Sequence, residues 1–514
     1  MKKIALIFLS VVYLTTSAQT TQIGNHFVGV SSNGSLFRSP TGQALLEAPM
    51  WSGLTTIFES QFWVGYMRNG QKHGIMPLIS SPGISNQSTF GPHCDDWAYQ
   101  PNELSQKFNR TWTVYQDSVN FHEASYQMPS YTPPTCVSSY LAVGDTAKGV
   151  HPYLLPFKAA VADYNYSWQR GDMPVLSGNK SLFALYSDRN LAKGLSNQET
   201  SLNVSVELYQ SPLAASSDAH ANSIFARFRV TNIGSETIDS LLVGLVADFD
   251  IGIAENDYVG TDVARNFIYG MNYVSAEPIS GYGPLTPAMG VLALGNNIQR
   301  SLRYNPGVTQ LSAQSMPTNI HQEFNYLKGI APDGSILPQY YAAGDPLLKN
   351  GALDDTLVAN FIDRAMIMAL PVQDLAPNAT TCFDFAYVFA QGQDHKQSLE
   401  YLRLYCDEIR AEYDSAGAIN CTIAQFLGDS DHDVHQPHVF PNPVIDYLNV
   451  ELDHQHVAGG QITINNQHGQ TLLTAELMHG ESIKRLDVSE LPVGIYYLEV
   501  RSKFDRTIQK FVKM

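Results

Sequence analysis

Residues 248–262 read Asp-Phe-Asp-Ile-Gly-Ile-Ala-Glu-Asn-Asp-Tyr-Val-Gly-Thr-Asp. Four aspartates, Asp248, Asp250, Asp257 and Asp262, share this stretch with Glu255 and two glycines. Hard cations such as calcium take about six to eight oxygen ligands, and carboxylates set between glycine bends can supply them. The four aspartates are therefore predicted to hold calcium, the one cofactor the sequence suggests. The stretch is not an EF-hand, because the twelfth position counted from Asp248 is Val259 and not a glutamate. The competing reading is an acidic loop without a metal, its Asp and Asn side chains closing turns on their own backbone.

Other clusters carry less. His432, His435 and His438 lie among Asp429, Asp431 and Asp433, and imidazole suits copper or zinc. A spacing of three puts such residues on one face only in a helix, and Pro437 opposes a helix there. His93-Cys94-Asp95-Asp96-Trp97 combines imidazole, thiol and carboxylates, but a loop held by a disulfide is expected before a nucleophile. HExxH, GxSxG, P-loop and dinucleotide GxGxxG patterns are all missing, so no catalytic residue is assigned. A carboxylate pair for glycoside hydrolysis stays open, because folding and not spacing creates such pairs.

The elements that must position these residues are mostly strands. The chain has 514 residues, 44% of them hydrophobic and 15% charged, which is the composition of a globular protein. A net charge of −17 argues against nucleic acid as a partner, since a phosphate backbone calls for a basic footprint. Leu202–Tyr209 alternates cleanly, Ile224–Asn232 and Ser240–Phe249 follow, and the set reads as an antiparallel meander. Thr56–Gly65 is β-branched and aromatic, as a buried strand would be. Tyr131–Tyr166 has no period and reads as long surface loops. One helix is predicted over Gln397–Tyr413, with Leu402, Cys406, Ile409 and Tyr413 on one stripe. Of five cysteines, Cys406 and Cys421 are the expected disulfide.

Residues 1–18 have the form of a secretory signal: Lys2 and Lys3, an apolar run too short to span a bilayer, then Thr16-Ser17-Ala18. No later segment is long and apolar enough for a membrane helix, so an integral membrane protein is not expected. Residues 424–438 read as a polar linker that closes a body over residues 19–423.

From residue 439 to 514, short alternating runs are separated by turn chemistry, as in a small β-sandwich. Pro441-Asn442-Pro443, Leu448-Asn449-Val450, Leu491–Leu498 with Gly494 and Tyr496, and Lys510-Phe511-Val512-Lys513 occur in order. This ordered set resembles the C-terminal sorting domain (type A) of the type IX secretion system of Bacteroidetes. The resemblance implies an Ig-like sandwich, the secretion machinery as partner, and Pro441, Asn442, Pro443, Gly494, Tyr496, Lys510 and Lys513 as the sorting signal.

The body has a resemblance of its own. Phe58–Gly65, Trp112–Tyr115, Asn222–Asn232, Ala247–Asp262, Phe324–Gly334, Ala343–Pro346 and Asp363-Arg364-Ala365-Met366 resemble an uncharacterised family of secreted Bacteroidetes proteins. That family carries the same sorting domain. Around its acidic loop it has a tryptophan, a paired aspartate and a cysteine where this chain has Val246, Asn256 and Thr261. The family implies fold and location but no reaction.

The sequence thus predicts a mainly β protein: a large sandwich-type body with one helix near its end, and a C-terminal Ig-like sandwich. It is expected to leave the cell through the periplasm and to act at the cell surface or in the medium. The body is read as a binding or structural module for an extracellular ligand such as a glycan. A surface hydrolase acting on polysaccharide is the alternative.

Overall fold

The structure is a computed structural model. It describes residues 17–514 apart from 69, 76–88, 95–100, 160–164, 189–201, 273–275, 279, 309, 355–362, 417–420, 422, 427–437, 452–459, 467–469, 478–482 and 503–505. The histidine and aspartate cluster at 429–435 and Asp95–Trp97 lie outside the described residues. The chain divides into two compact units, Met1–Phe426 and Leu427–Met514.

The first unit is built on two antiparallel sheets. The nine-stranded sheet runs in the order Asp257–Asp262, Phe267–Asn272, Ala288–Leu294, Thr380–Ala390, Ser223–Asn232, Leu202–Gln210, Lys180–Ser187 and Thr89–Phe90, with Trp112–Tyr115 also paired to Lys180–Ser187. The six-stranded sheet runs Arg300–Tyr304, Ala365–Ala369, Ile238–Phe249, Ile57–Arg68 and Gln71–Ile75, with Gln373–Leu375 also on Ile238–Phe249. Alternation places one side of each strand in a shared core. Phe62 of one sheet stacks on Phe228 of the other with ring centroids 4.2 Å apart. Ser60 Oγ lies 2.7 Å from the Tyr387 hydroxyl across the same gap.

Both outer faces are covered, so few strands show the half-exposed pattern that alternation alone suggests. Asn203, Ser205 and Glu207, the polar side of Leu202–Gln210, are buried. Glu207 meets its burial with Arg229 at 3.1 Å and with donors from Ser177 and Ser181. The helix His395–Ser415 lies on the nine-stranded sheet through Leu399, Leu402, Cys406 and Ile409. Its start is fixed by Asp394, whose side chain accepts from the backbone N–H groups of Lys396 and Gln397. The shorter helix Ile320–Leu327 covers Trp63, Leu242 and Val246 on the other sheet.

Two expectations need correction. Cys421 pairs with Cys382, and Cys406 is a free, buried thiol under the helix. Cys406 belongs to the apolar stripe that faces the sheet, so it cannot also reach the segment leaving the helix. Tyr131–Tyr166 is not a set of surface loops, and its described residues include a short helix, Thr135–Ser138, and a strand, Phe157–Ala159. Tyr140, Leu141, Ala142, Val150, Leu154, Leu155 and Phe157 are buried in a second core with Trp112 and Phe183. Aperiodic apolar residues can fill a core when neighbouring loops satisfy the backbone. A further helix, Gln116–Ser125, follows the strand Trp112–Tyr115. It buries only Val119, His122 and Ser125, too faint a stripe to read.

The second unit is a small sandwich. Val439–Phe511 residues from a three-stranded and a four-stranded sheet close one core, including Leu448, Val450, Ile462, Leu498 and Phe511. Its described strands are His438–Phe440, Tyr447–Glu451, Gly460–Asn465, Thr471–Leu477, Ile483–Asp487, Gly494–Ser502 and Arg506–Lys513.

Candidate cation centre and neighbouring cavity

Ile238–Phe249 lies between Ile57–Arg68 and Ala365–Ala369, both antiparallel to it. Its end therefore meets the start of both neighbours. Asp248 is in register with Glu59 on one side and Ala365 on the other. Asp250 follows the strand end, and Asp363 precedes Ala365. Asp248, Asp250 and Asp363 each offer an oxygen within 4.8 Å of the other two.

The loop after Asp250 is held by its own acids. The Asp257 carboxylate accepts from the backbone N–H of Ile251 at 2.6 Å. Glu277 accepts from the backbone N–H of Ile253 at 3.1 Å. Gly252 makes this possible, since it has a φ of 73° and a Cβ there would run into the Glu277 carboxylate. Arg364 is 1% exposed; it donates to the Asp257 carbonyl at 2.6 Å and pairs with Asp354 at 2.9 Å.

Like charges dominate the trio. Two carboxylates at this spacing repel by about 3 kcal/mol at an effective dielectric near 20. Burial, then Asp363 and Glu255, push the Asp250 carboxyl up to about 7. Burial, then Asp363, Asp250 and Glu59, push Asp248 well above the usual carboxylate range. Burial also raises Asp363. The nearby cations are committed elsewhere: Arg38 pairs with Glu59 at 2.7 Å and Arg364 with Asp354.

The four aspartates predicted from sequence thus part company. Asp248 and Asp250 come together, Asp257 braces the loop beside them, and Asp262 pairs with Arg265 at 3.3 Å and Arg403 at 3.1 Å. Asp363, far along the chain, was not singled out as a ligand. Its one sequence signal is its place in the stretch Asp363-Arg364-Ala365-Met366.

Arg364 leads from the trio to a cavity of about 460 Å³. Tyr258, Tyr269, Met271, Lys349, His395 and Lys396 line it, together with Asp354. Asp354 accepts from the Tyr341 hydroxyl at 2.6 Å as well as pairing with Arg364. Burial lowers the His395 pKa, so its ring is neutral at pH 7. Among the described residues neither Lys349 nor Lys396 has an ion-pair partner.

A third titratable site joins His93, which the sequence singled out, to Asp188, which it did not. His93 Nε2 pairs with Asp188, which also accepts from the Tyr66 hydroxyl at 2.6 Å and the Leu202 N–H at 3.1 Å. Burial works to raise the Asp188 carboxyl, but His93 and these donors outweigh it and hold it below the usual range. Cys94 beside His93 is a buried thiol and not a disulfide cysteine, so the disulfide expected in this loop is not formed.

In the second unit the predicted sorting residues gather around the final strand. Asn442 accepts from the Val512 N–H at 2.9 Å, and its amide faces the Lys510 carbonyl at 3.4 Å. Val444 donates its N–H to the Val512 carbonyl and accepts from the Met514 N–H. Gly494 is in register with Lys513, and Tyr496 stacks on Phe511 at 5.7 Å. Pro441 and Pro443 flank Asn442 and fix φ on both sides of it.

Residues 438–514 match the secretion system C-terminal sorting domain family. The chain therefore ends in a type IX secretion sorting domain, which directs it to the cell surface or the medium. No curated protein matches the chain. Among solved structures it is similar to a polysaccharide lyase at 9% identity, over 60% of this chain and 34% of that one, with a TM-score of 0.20. The chain spans about a third of that lyase's length, 34%. It is also similar to a proposed aldose 1-epimerase from Escherichia coli K12, at 9% identity over 73% of this chain and 99% of that one, with a TM-score of 0.26. A third is the BSP domain of a biofilm associated protein, at 8% identity over 65% and 60% of the two chains, with a TM-score of 0.15. Similarity at this level carries no activity across. No helix among the described residues is long and apolar enough to cross a membrane.

Proposed function

We propose that the exported body is a binding module for an extracellular glycan bearing acidic groups. The observation that carries this reading is the cavity walled by Tyr258 and Tyr269, with Lys349 and Lys396 at its side. Its volume falls in the range of small-ligand sites. Tyrosine combines an apolar ring with a polar tip and suits the mixed faces of a sugar. Asp354, the carboxylate in the wall, is neutralised by Arg364, so the two ammonium groups leave the cavity positive within a chain of net charge −17. An acidic ligand is favoured there and a neutral one is not.

Among the described residues the wall holds one carboxylate, already paired, which supports binding over hydrolysis, because glycosidases use two. Calorimetric titration with oligosaccharides of uronic acids and with neutral ones tests the reading. Saturable binding of the acidic set is expected. Tyr258→Ala should weaken it by roughly tenfold, the loss of about 1–1.5 kcal/mol of ring contact. No binding of either set would overturn it. The hydrolase alternative is favoured only by the raised carboxyls at Asp248 and Asp250, and release of reducing ends from a polysaccharide would establish it.

A further inference from the structure

We propose that Asp248, Asp250 and Asp363 form a calcium centre at the end of the central strand of the six-stranded sheet. Each carboxylate turns an oxygen toward the other two, all within 4.8 Å. The Oδ1 atoms of all three are buried and accept no hydrogen bond. Asp248 is only 9% exposed, so water does not satisfy it instead. A second buried acid points the same way from outside the trio: Asp257, 1% exposed, leaves its Oδ1 without a donor while its Oδ2 is held under the loop that carries Asp250.

Buried acceptors without donors are costly, and buried like charges more so. Protons or a cation can relieve both. The arginines within reach are already engaged, Arg38 by Glu59 and Arg364 by Asp354. The donor set contains only oxygen, with no imidazole or thiolate, which selects a hard cation over zinc or copper. Calcium suits it better than magnesium. Three carboxylates can each bind through one or two oxygens at irregular angles, whereas magnesium demands a near-ideal octahedron.

The partnership differs from the one the acidic stretch suggests. Asp262 is excluded by its ion pairs with Arg265 and Arg403, and Asp363 takes a place in the site. The proposal does not rest on the glycan reading, since it concerns different side chains.

The test uses the full chain, stripped with chelator and then titrated with calcium alone or magnesium alone. Calcium should raise the Tm with increasing concentration, as any ligand of the folded state must, and magnesium should do so less. Asp363→Asn should abolish the calcium shift, while Asp262→Asn should keep it. Terbium, a calcium substitute excited through the nearby Tyr304, gives an independent readout in the unaltered chain. Saturable terbium emission, displaced by calcium, is expected. No Tm shift and no saturable emission at millimolar ion would overturn the proposal. So would a calcium shift that survives Asp363→Asn.

Discussion

Glu323 is fully buried, and neither carboxylate oxygen has a hydrogen-bond partner. Burial alone pushes its pKa well above the usual carboxylate value. The folded state therefore keeps a proton that the unfolded state releases, and stability falls as pH rises above about 4.5. Glu323→Gln is expected to stabilise the body by about 1–3 kcal/mol at pH 8 and by less at pH 5, read from melting at both pH values. His26 titrates the opposite way. Burial, partly opposed by the Asn222 backbone, lowers its pKa to about 4. Neutral His26 is stable above pH 6.5, and stability drops as pH falls toward 4, by up to about 3 kcal/mol. His26→Leu should flatten that limb of a pH–stability curve. At this scale the sequence displayed the acids at 248–262 but not their partners. Side-chain type is visible in a sequence, whereas Asp363 beside Asp248 is a product of strand order.

The disulfide shows how elements constrain residues. Cys382 stands in the strand Thr380–Ala390 and Cys421 follows the long helix, so their bond ties the helix's exit back to the sheet. Closing a loop of 39 residues is worth about 4 kcal/mol in the chain-entropy estimate. Cys421→Ser should lower the unfolding free energy, read from denaturant melting, by an amount of that order, and Cys406→Ser should leave the disulfide intact. A larger loss from Cys406→Ser would contradict the pairing. The long helix was legible because Leu402, Cys406 and Ile409 repeat at helical spacing among charges. Gln116–Ser125 was not, since Phe121 points outward and His122 inward, which blurs the stripe. The core formed by Tyr140, Leu154 and Phe157 was hidden for a related reason: burial there follows loop packing and leaves no period.

The whole molecule is a cargo and an address. Strand content and the C-terminal address were legible from alternation and from Pro441-Asn442-Pro443 with its companions, because short-range patterns write both. A sandwich-type body was expected too, but the contacts that seat its two sheets, such as Phe62 on Phe228, were not. Within the address, Asn442 closes the final strand by bonding to the Val512 N–H. Asn442→Ala should destabilise that unit by about 1 kcal/mol and reduce export, while the melting of the body stays unchanged. Deleting residues 438–514 and measuring the mature body in the medium and in the cell tests the account most directly. The body is expected to fold with its usual melting temperature, retain its ligand binding and stay inside the cell envelope. Normal amounts of the shortened protein in the medium would contradict it.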